Sequence, residues 1–312
     1  MSFLFLLLPR VVVKHANALA GQYLINTAPV MAMNLFAHAL CCETDCTLKA
    51  VAILHHDAYL EGESGSPFFG LHPHQRRGAV LVDKADYSRT NKHALSLQPT
   101  ATMNLTVSLL LEITGAVNLP KVERFLLQGG RIAGGCIEQV GEIELVPDLA
   151  QLTLPNGYWV IERQDLMQVC DNPVDALFAA IGKTTPNQAD SPPAQQATTE
   201  TDQEHSPADG DTPDAPAATS AAKLPDSWLI PTILGYSTLT PFEKRPGTRL
   251  APRGESRHAE WPLHAYCESM IGLVQYLPAR QWPNSRPLPF WQQHWLDDFT
   301  FVVTQQSNSA QG

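Results

Sequence analysis

The sequence predicts an α+β protein with a ferredoxin-like core, and three observations lead there. Between residue 3 and about 182, apolar segments of strand and helix type follow in the order β-α-β-…-β-α-β, as in a sheet with helices packed on it. An apolar fraction of 44% over 312 residues is enough for a sizeable core, and 25 prolines imply many loops around it. Residues 184–222, by contrast, are rich in Pro, Ala, Thr, Ser, Gln, Asp and Glu with almost no large apolar side chain. Such a segment cannot bury enough surface to offset its ordering entropy, and is expected to be a disordered acidic insertion.

The elements follow in order. "FLFLLLPRVVV" (3–13) has six apolar residues, a Pro9-Arg10 break and three valines, a buried strand with a bulge or edge position at the proline. No Lys or Arg precedes the run, and it falls far short of the ~20 apolar residues of a membrane span, so the expectation is a cytoplasmic protein with no membrane partner. "PVMAMNLFAHALCC" (29–42) has helical spacing with Pro29 as a first-turn residue. Residues 48–56 and 103–115 read as strands, 119–130 as a helix stopped by glycines, 157–164 as a strand and 173–182 as a helix. Residues 60–100 are polar and basic, with Arg76, Arg77, Lys84, Arg89 and Lys92, and read as an inserted arm. Order resumes at 226–242, "PLHAYCESMIGLVQYL" (262–277) reads as an amphipathic helix, and 298–303 as a closing strand. The organisation expected is a core over 1–182, a disordered insertion over 183–225 and a C-terminal part over 226–312 that completes the fold.

The formal charge of -10 argues against a nucleic-acid partner until its distribution is considered. Seven acids and no Lys or Arg lie in 184–222; without that stretch the chain has 21 basic and 24 acidic residues. Six cysteines are too sparse for a disulfide scaffold. Cys41-Cys42-Cys46 lacks the second half of a metal site, so buried thiols are expected, and neither metal nor cofactor is assigned. His55-His56-Asp57 at a strand end invites a phosphohydrolase reading, against which strand alternation would put the two histidines on opposite faces. No nucleophile, base and orienter come together in any known motif, so no catalytic residue is assigned.

Two segments suit a polyanion. In "QGGRIAGGC" (128–136) Gly-Gly pairs flank Arg131; glycines allow close backbone approach and the guanidinium can pair with a phosphate. A helix cap followed by a hairpin with packing glycines accounts for the same residues. In 241–261, Lys244, Arg245, Arg249, Arg253 and Arg257 make a basic band in a Pro/Gly-rich loop, which also reads as a solvated loop.

Taken together, these segments resemble the Cas-five-type, second Csy subunits of type I-F CRISPR surveillance complexes. The likeness rests on "LLLPRVVVKHANAL" (6–19), "NLFAHAL" (34–40), "VAILHH" (51–56), "LTVSLLLEITG" (105–115), "RIAGG" (131–135), "WLIPTILGYSTLTP" (228–241) and "ESMIGLVQYL" (268–277), the last matching a helix of the family. The resemblance implies an RRM-like RAMP fold and a non-catalytic subunit that caps the 5′ handle of the CRISPR RNA. The implied partners are that RNA, a Cas-seven-type backbone subunit, a large Cas-eight-type subunit where present, and target DNA through the complex. Carried over by position, the RNA-binding residues are Arg10, Lys14, Asn17, Gly129, Gly130, Arg131, Gly134, Gly135, Arg249, Arg253 and Arg257.

The chain departs from the family at "YLINTAPVMAM" (23–33), where aromatic and glycine-rich sequence is usual, and beyond residue 280. These differences leave open a compact variant in which the basic arm, through Arg76, Arg77, Arg89 and Lys92, contacts the PAM duplex or a partner. A rival reading is a RAMP-type endoribonuclease acting on repeat RNA, with a general base among His15, His38 and His56; His38 is expected to pack in its helix, and His15 beside Lys14 is the candidate. A third is a protein-interaction module without RNA.

Overall fold

The computed structural model describes residues 3–21, 24–64, 71–73, 101–181, 228–244, 263–283 and 285–305. It is a mixed α+β structure built mostly from antiparallel sheet, with few helices. The N-terminal elements are β1 (Leu4–Asn17), α1 (Val30–Glu43), β2 (Thr47–Ser64), β3 (Leu71–Pro73), β4 (Thr102–Thr114), α2 (Leu119–Gln128), β5 (Arg131–Ile132), β6 (Gly135–Gln139) and β7 (Glu144–Val146). There follow β8 (Tyr158–Glu162), α3 (Gln164–Met167), α4 (Pro173–Ile181), β9 (Leu229–Thr238), β10 (Glu243–Lys244), β11 (Leu263–His264), β12 (Cys267–Pro278), β13 (Phe290–Trp295) and β14 (Thr300–Gln305). Among the described residues no helix is long and apolar enough to cross a membrane.

The run β1-α1-β2-β4-α2-β6 lays its strands side by side in the order β2-β4-β1-β6, each neighbour antiparallel. Alternation decides which side chains are buried. Leu6, Leu8, Val11 and Val13 of β1 pack with Leu105, Val107 and Leu109 of β4 beneath Met33, Phe36, Ala37 and Leu40 of α1. Each such fully buried side chain is worth about 1.5–3 kcal/mol relative to exposure. α2 is held at its start by Asn118, whose side chain accepts from the Lys121 N–H at 3.2 Å, and it buries Val122 and Leu126. The opposite face of the sheet is covered only in part. Leu7, Ala52, Leu54 and Leu110 there meet Trp159, Ile161, Leu277 and Trp282, and the rest of that face is open.

The C-terminal strands curl back on the sheet. β8, β12, β9, β14 and β13 pair in succession, and β13 then pairs with β2 through Phe290–Ala52 and Trp291–Val51, closing a ring of six strands with β2. Trp291 is fully buried, and its Nε1 donates to the Val160 carbonyl at 3.0 Å.

Several expectations are corrected. The helix expected over 262–277 is instead β11 and β12. Residues Gly272–Leu277 are buried throughout between β8 and β9, and a strand covered on both faces loses the period-2 signature that separates it from a helix. Of the cysteines expected to be buried, only Cys41 is; Cys42, Cys136 and Cys267 are exposed. His38 is exposed as well, accepting from Gln293 Nε2 at 3.1 Å, because it lies on the solvent side of α1. His55 and His56 do part to opposite environments: His55 is buried against the Tyr276 ring, and His56 meets Ser108 Oγ at 2.7 Å. The 183–225 segment, the arm beyond Ser64 apart from Leu71–Pro73, and most of the 241–261 band lie outside the described residues.

Candidate nucleic-acid interface

The open part of the sheet is built around two irregularities in β1. Its pairing with β4 slips by one residue between Leu8 and Val11 and again between Val13 and Ala16. Each slip contains a non-glycine residue in the left-handed region, Arg10 at φ 47° and His15 at φ 54°. Such residues cost of order 1–3 kcal/mol each, so their persistence points to a use. The first slip falls on the Pro9-Arg10 break. Proline supplies no N–H, and the Arg10 N–H leaves the ladder to donate to Ser108 Oγ at 2.8 Å. Arg10 is exposed there and makes no ion pair among the described residues. His56, on the same hydroxyl, has its pKa lowered by burial first and by the Arg10 charge second.

Register brings further residues into line across the open face. Arg131 pairs with Cys136, Cys136 with Lys14, and Tyr59 of β2 with Asn104 of β4, whose Oδ1 accepts from the His15 N–H at 3.4 Å. One row therefore runs Arg131, Lys14, His15, Asn104, Tyr59 over β5, β6, β1, β4 and β2. Tyr59 is 64% exposed on a sheet whose other aromatics are mostly packed. These side chains are tethered: Lys14 Nζ lies 3.7 Å from Glu138, His15 Nδ1 lies 2.9 Å from Glu61, and Arg131 Nη1 donates to the Gly134 carbonyl at 3.2 Å. Thr102 and His15 hold the Glu61 carboxyl below its usual range by hydrogen bonding to the ionised form.

The glycine-rich segment is a hairpin. β5 and β6 are joined by Ala133 and Gly134, with φ of 49° and 76°, and a two-residue turn with both central φ positive is the hairpin geometry that glycine favours. Gly135 is buried against β1, where a Cβ would stand 2.7 Å from Ala16 N and Lys14 O. Gly130 is buried too, and Gly129 ends α2 with its N–H on the Phe125 carbonyl. Gly130 and Gly135 thus press against the chain itself rather than offering a surface to a phosphate, while Gly129, Arg131 and Gly134 are exposed. Asn17 is exposed; its side chain closes a turn onto Leu19, and its N–H donates to the Ala133 carbonyl at 2.7 Å.

The structure therefore gathers Arg10, Lys14, Asn17, Arg131 and Gly134 along one side of the sheet. Arg76, Arg77, Arg89, Lys92, Arg249, Arg253 and Arg257 lie outside the described residues. Sequence reading missed Tyr59 because β2 was taken to stop at His56, and it singled out neither Asn104 nor Ser108 within a strand it did place. The signal was present in the alternation of "DAYLEG" (57–62), which continues the strand. No group of His, Cys, Asp or Glu among the described residues is arranged to hold a metal. Cations, an exposed ring and strained, accessible backbone on one face are the features by which proteins in general hold a single-stranded polyanion with planar bases.

A family profile described as CRISPR-associated protein (Cas_Csy2) matches residues 6–298. No curated protein matches the chain. The matched span takes in every element of the open face and of the strand ring up to the β13–β14 turn, and on that ground the chain belongs to the Cas_Csy2 family, as a CRISPR-associated subunit of a type I-F Csy complex.

Proposed function

We propose that this protein is the non-catalytic RNA-binding subunit of its complex, with a ferredoxin-like RAMP core that caps the 5′ handle of the guide RNA. The observation that carries the reading is the row Arg131, Lys14, His15, Asn104 and Tyr59, with Arg10 one slip away on β1. The strand order β2-β4-β1-β6 within β1-α1-β2-β4-α2-β6 supports the core assignment. In this reading Arg10, Lys14 and Arg131 exchange their present partners for phosphates, Tyr59 stacks a base and the Ala133–Gly134 turn lets the backbone pass closely. Handle capture docks the protein on the Cas-seven-type backbone subunit and, where present, on the large subunit. Co-expression of the complex with a CRISPR array tests it: RNA of discrete length copurifies with the wild type and is lost from an Arg10→Ala, Lys14→Ala, Arg131→Ala variant. Undiminished RNA in that variant overturns the reading.

One observation favours a second reading, a repeat-RNA endoribonuclease. His15 is exposed, held in a strained conformation and oriented by Glu61 at 2.9 Å, as a general base would be. Metal-free incubation of the protein with repeat RNA decides between them, since site-specific cleavage lost on His15→Ala replaces the structural reading with the catalytic one.

A further inference from the structure

A cavity of about 820 Å³ opens among the ring strands, lined by the end of β8, α3 and the residue after it, Leu234 of β9, the Met270–Leu273 stretch of β12, and β13 and β14. β13 and β14 turn Trp291 and Val303 into the core. Their alternate residues line the cavity as two cross-strand pairs, Gln292 with Thr304 and His294 with Val302. Polar side chains at such positions leave a space that the chain's own core does not fill. Apolar walls with a few convergent polar groups, at this volume, are the character of a ligand site. The rim is accessible and apolar, through exposed Ile271 and Leu296.

One group lining it carries a charge without compensation. Glu162 is half-buried, and among the described residues its carboxylate accepts one hydrogen bond, from the Gln305 N–H at 2.7 Å. No cation pairs with it there: the guanidinium of Arg163, next along the chain, is given to Asp165 at 2.8 and 2.9 Å and to Gln275 at 2.9 Å. His294 of β13 is the other titratable side chain lining the cavity; the described lining from α3, β9, β12 and β14 has none. A carboxylate drawn out of water in this way is stabilised by a cation. Around the rim the charge has the same sign, from Asp297 beside Leu296 and from Glu268, two residues from Met270 on the same face of β12. The space exceeds what one cationic head fills, so apolar atoms must enter with it.

We propose that this cavity receives an arginine or lysine from an apolar segment of a neighbouring subunit of the Csy complex, its cationic head on Glu162 and its alkyl stem against Leu234, Leu273 and Val302. The inference rests on membership of that complex and not on the RNA-capping reading. The apolar rim then covers the residues flanking the inserted side chain, and the acids around it disfavour an acidic partner.

The test uses the purified complex, tagged on another subunit, and measures how much of this protein stays bound on dilution at a series of pH values. Burial raises the Glu162 pKa to about 7 in the isolated chain, so wild-type affinity is expected to rise with pH up to about 7 and level off above it. Glu162→Gln is expected to bind about thirtyfold more weakly at pH 8 and to lose the pH dependence. Thr304→Arg, which offers the cavity a guanidinium of its own, is expected to weaken binding similarly, and thermal unfolding verifies that both variants fold. His294→Gln is expected to keep the dependence; if it abolishes it, Glu162 is not the anchor and the proposal fails. Wild-type retention of both Glu162→Gln and Thr304→Arg overturns the assignment, while RNA scored in the same samples judges the capping reading separately. Two results hand the cavity to another occupant and also overturn the proposal. One is an isolated chain whose stability does not fall between pH 4.5 and 7 until Arg245, Arg249, Arg253 and Arg257 are all changed to alanine, which makes the cation the chain's own. The other is self-association of the isolated protein that Glu162→Gln abolishes, which makes the occupant a second copy.

Discussion

Across β2, β4, β1 and the β5–β6 hairpin the open face presents Arg10, Lys14 and Arg131 around Tyr59. At the far end of β9, β12 and the β13–β14 turn the exposed side chains are instead Leu239, Phe242, Tyr266, Trp295, Leu296 and Phe299, rimmed by Glu243, Glu268, Asp297 and Asp298. The main strands under both surfaces belong to one hydrogen-bonded sheet, with Glu243 on the separate β10–β11 pair, so the difference is carried more by side chains than by architecture. In the proposed reading a phosphate chain favours the first over the second as far as their described residues go, Arg245, Arg249, Arg253 and Arg257 between β10 and β11 lying outside them, although a greasy aromatic cluster alone would stack bases well enough. Charge, rather than aromatic content, separates the two.

Breaking the first region at its foundation gives the largest effect. Gly135→Ala drives a Cβ into the β1 backbone and should cost about 3 kcal/mol in denaturant unfolding, whereas Gly129→Ala, with nothing within 4 Å, should change stability by less than about 0.5 kcal/mol. Next comes Arg10→Ala, Lys14→Ala, Arg131→Ala, expected to weaken handle RNA about a hundredfold. The same variant should reduce the slope of log affinity against log salt by about two, at roughly 0.7 per phosphate for single strands.

The second region can be sharpened by pH. Glu162, at the end of β8 and beside an 820 Å³ cavity within the ring, has its pKa raised from 4.5 to about 7 by burial, partly offset by the Gln305 N–H. A carboxyl with a raised folded pKa favours the folded state when protonated. Its contribution is full below pH 4.5 and lost as pH rises through 7. Glu162→Gln should therefore flatten the fall of stability over that window by about 2 kcal/mol, measured by urea unfolding at a series of pH values. His55, lowered to about 4 chiefly by burial, acts in the opposite sense, losing stability as pH falls below 6.5.

Smaller effects complete the contrast. Tyr59→Ala should weaken RNA about tenfold, one stacked base, with little change in salt slope. Trp295→Ala at the acidic end should leave RNA affinity within about twofold. A large loss there would mean that the RNA path runs over the wrong surface.

How much of this was legible in the sequence follows from how local each feature is. The Pro9-Arg10 break marked the first slip of β1 because proline's missing N–H is a property of one residue. The second slip, at His15, had no such marker. α1 and α2 were readable from spacing and from the Pro and Gly that bound them. β12 was not, since its two faces are buried in different clusters, Val274 and Tyr276 in one and Leu277 in the other, both assembled from distant segments. The closure of β13 on β2 joins residues some 240 positions apart and leaves no trace in either segment. In the site, single residues with distinctive chemistry were found, while Tyr59 and Asn104 acquire their meaning only from what faces them.

The two slips in β1 have a consequence for length. Each places three residues of β1 against two of β4, so that Leu8, Val11, Val13 and Ala16 all reach the core while Val12 and Lys14 face outward. Deleting Val12, between the two slips, would hand part of the strand the opposite parity, whereas deleting one residue from either slip would regularise the pairing and leave the valines on the core side. Nearly any apolar side chain of the right size can stand at the valine positions. The spacing between Val11 and Val13 has no such latitude, and there the count of residues is held more tightly than their identity.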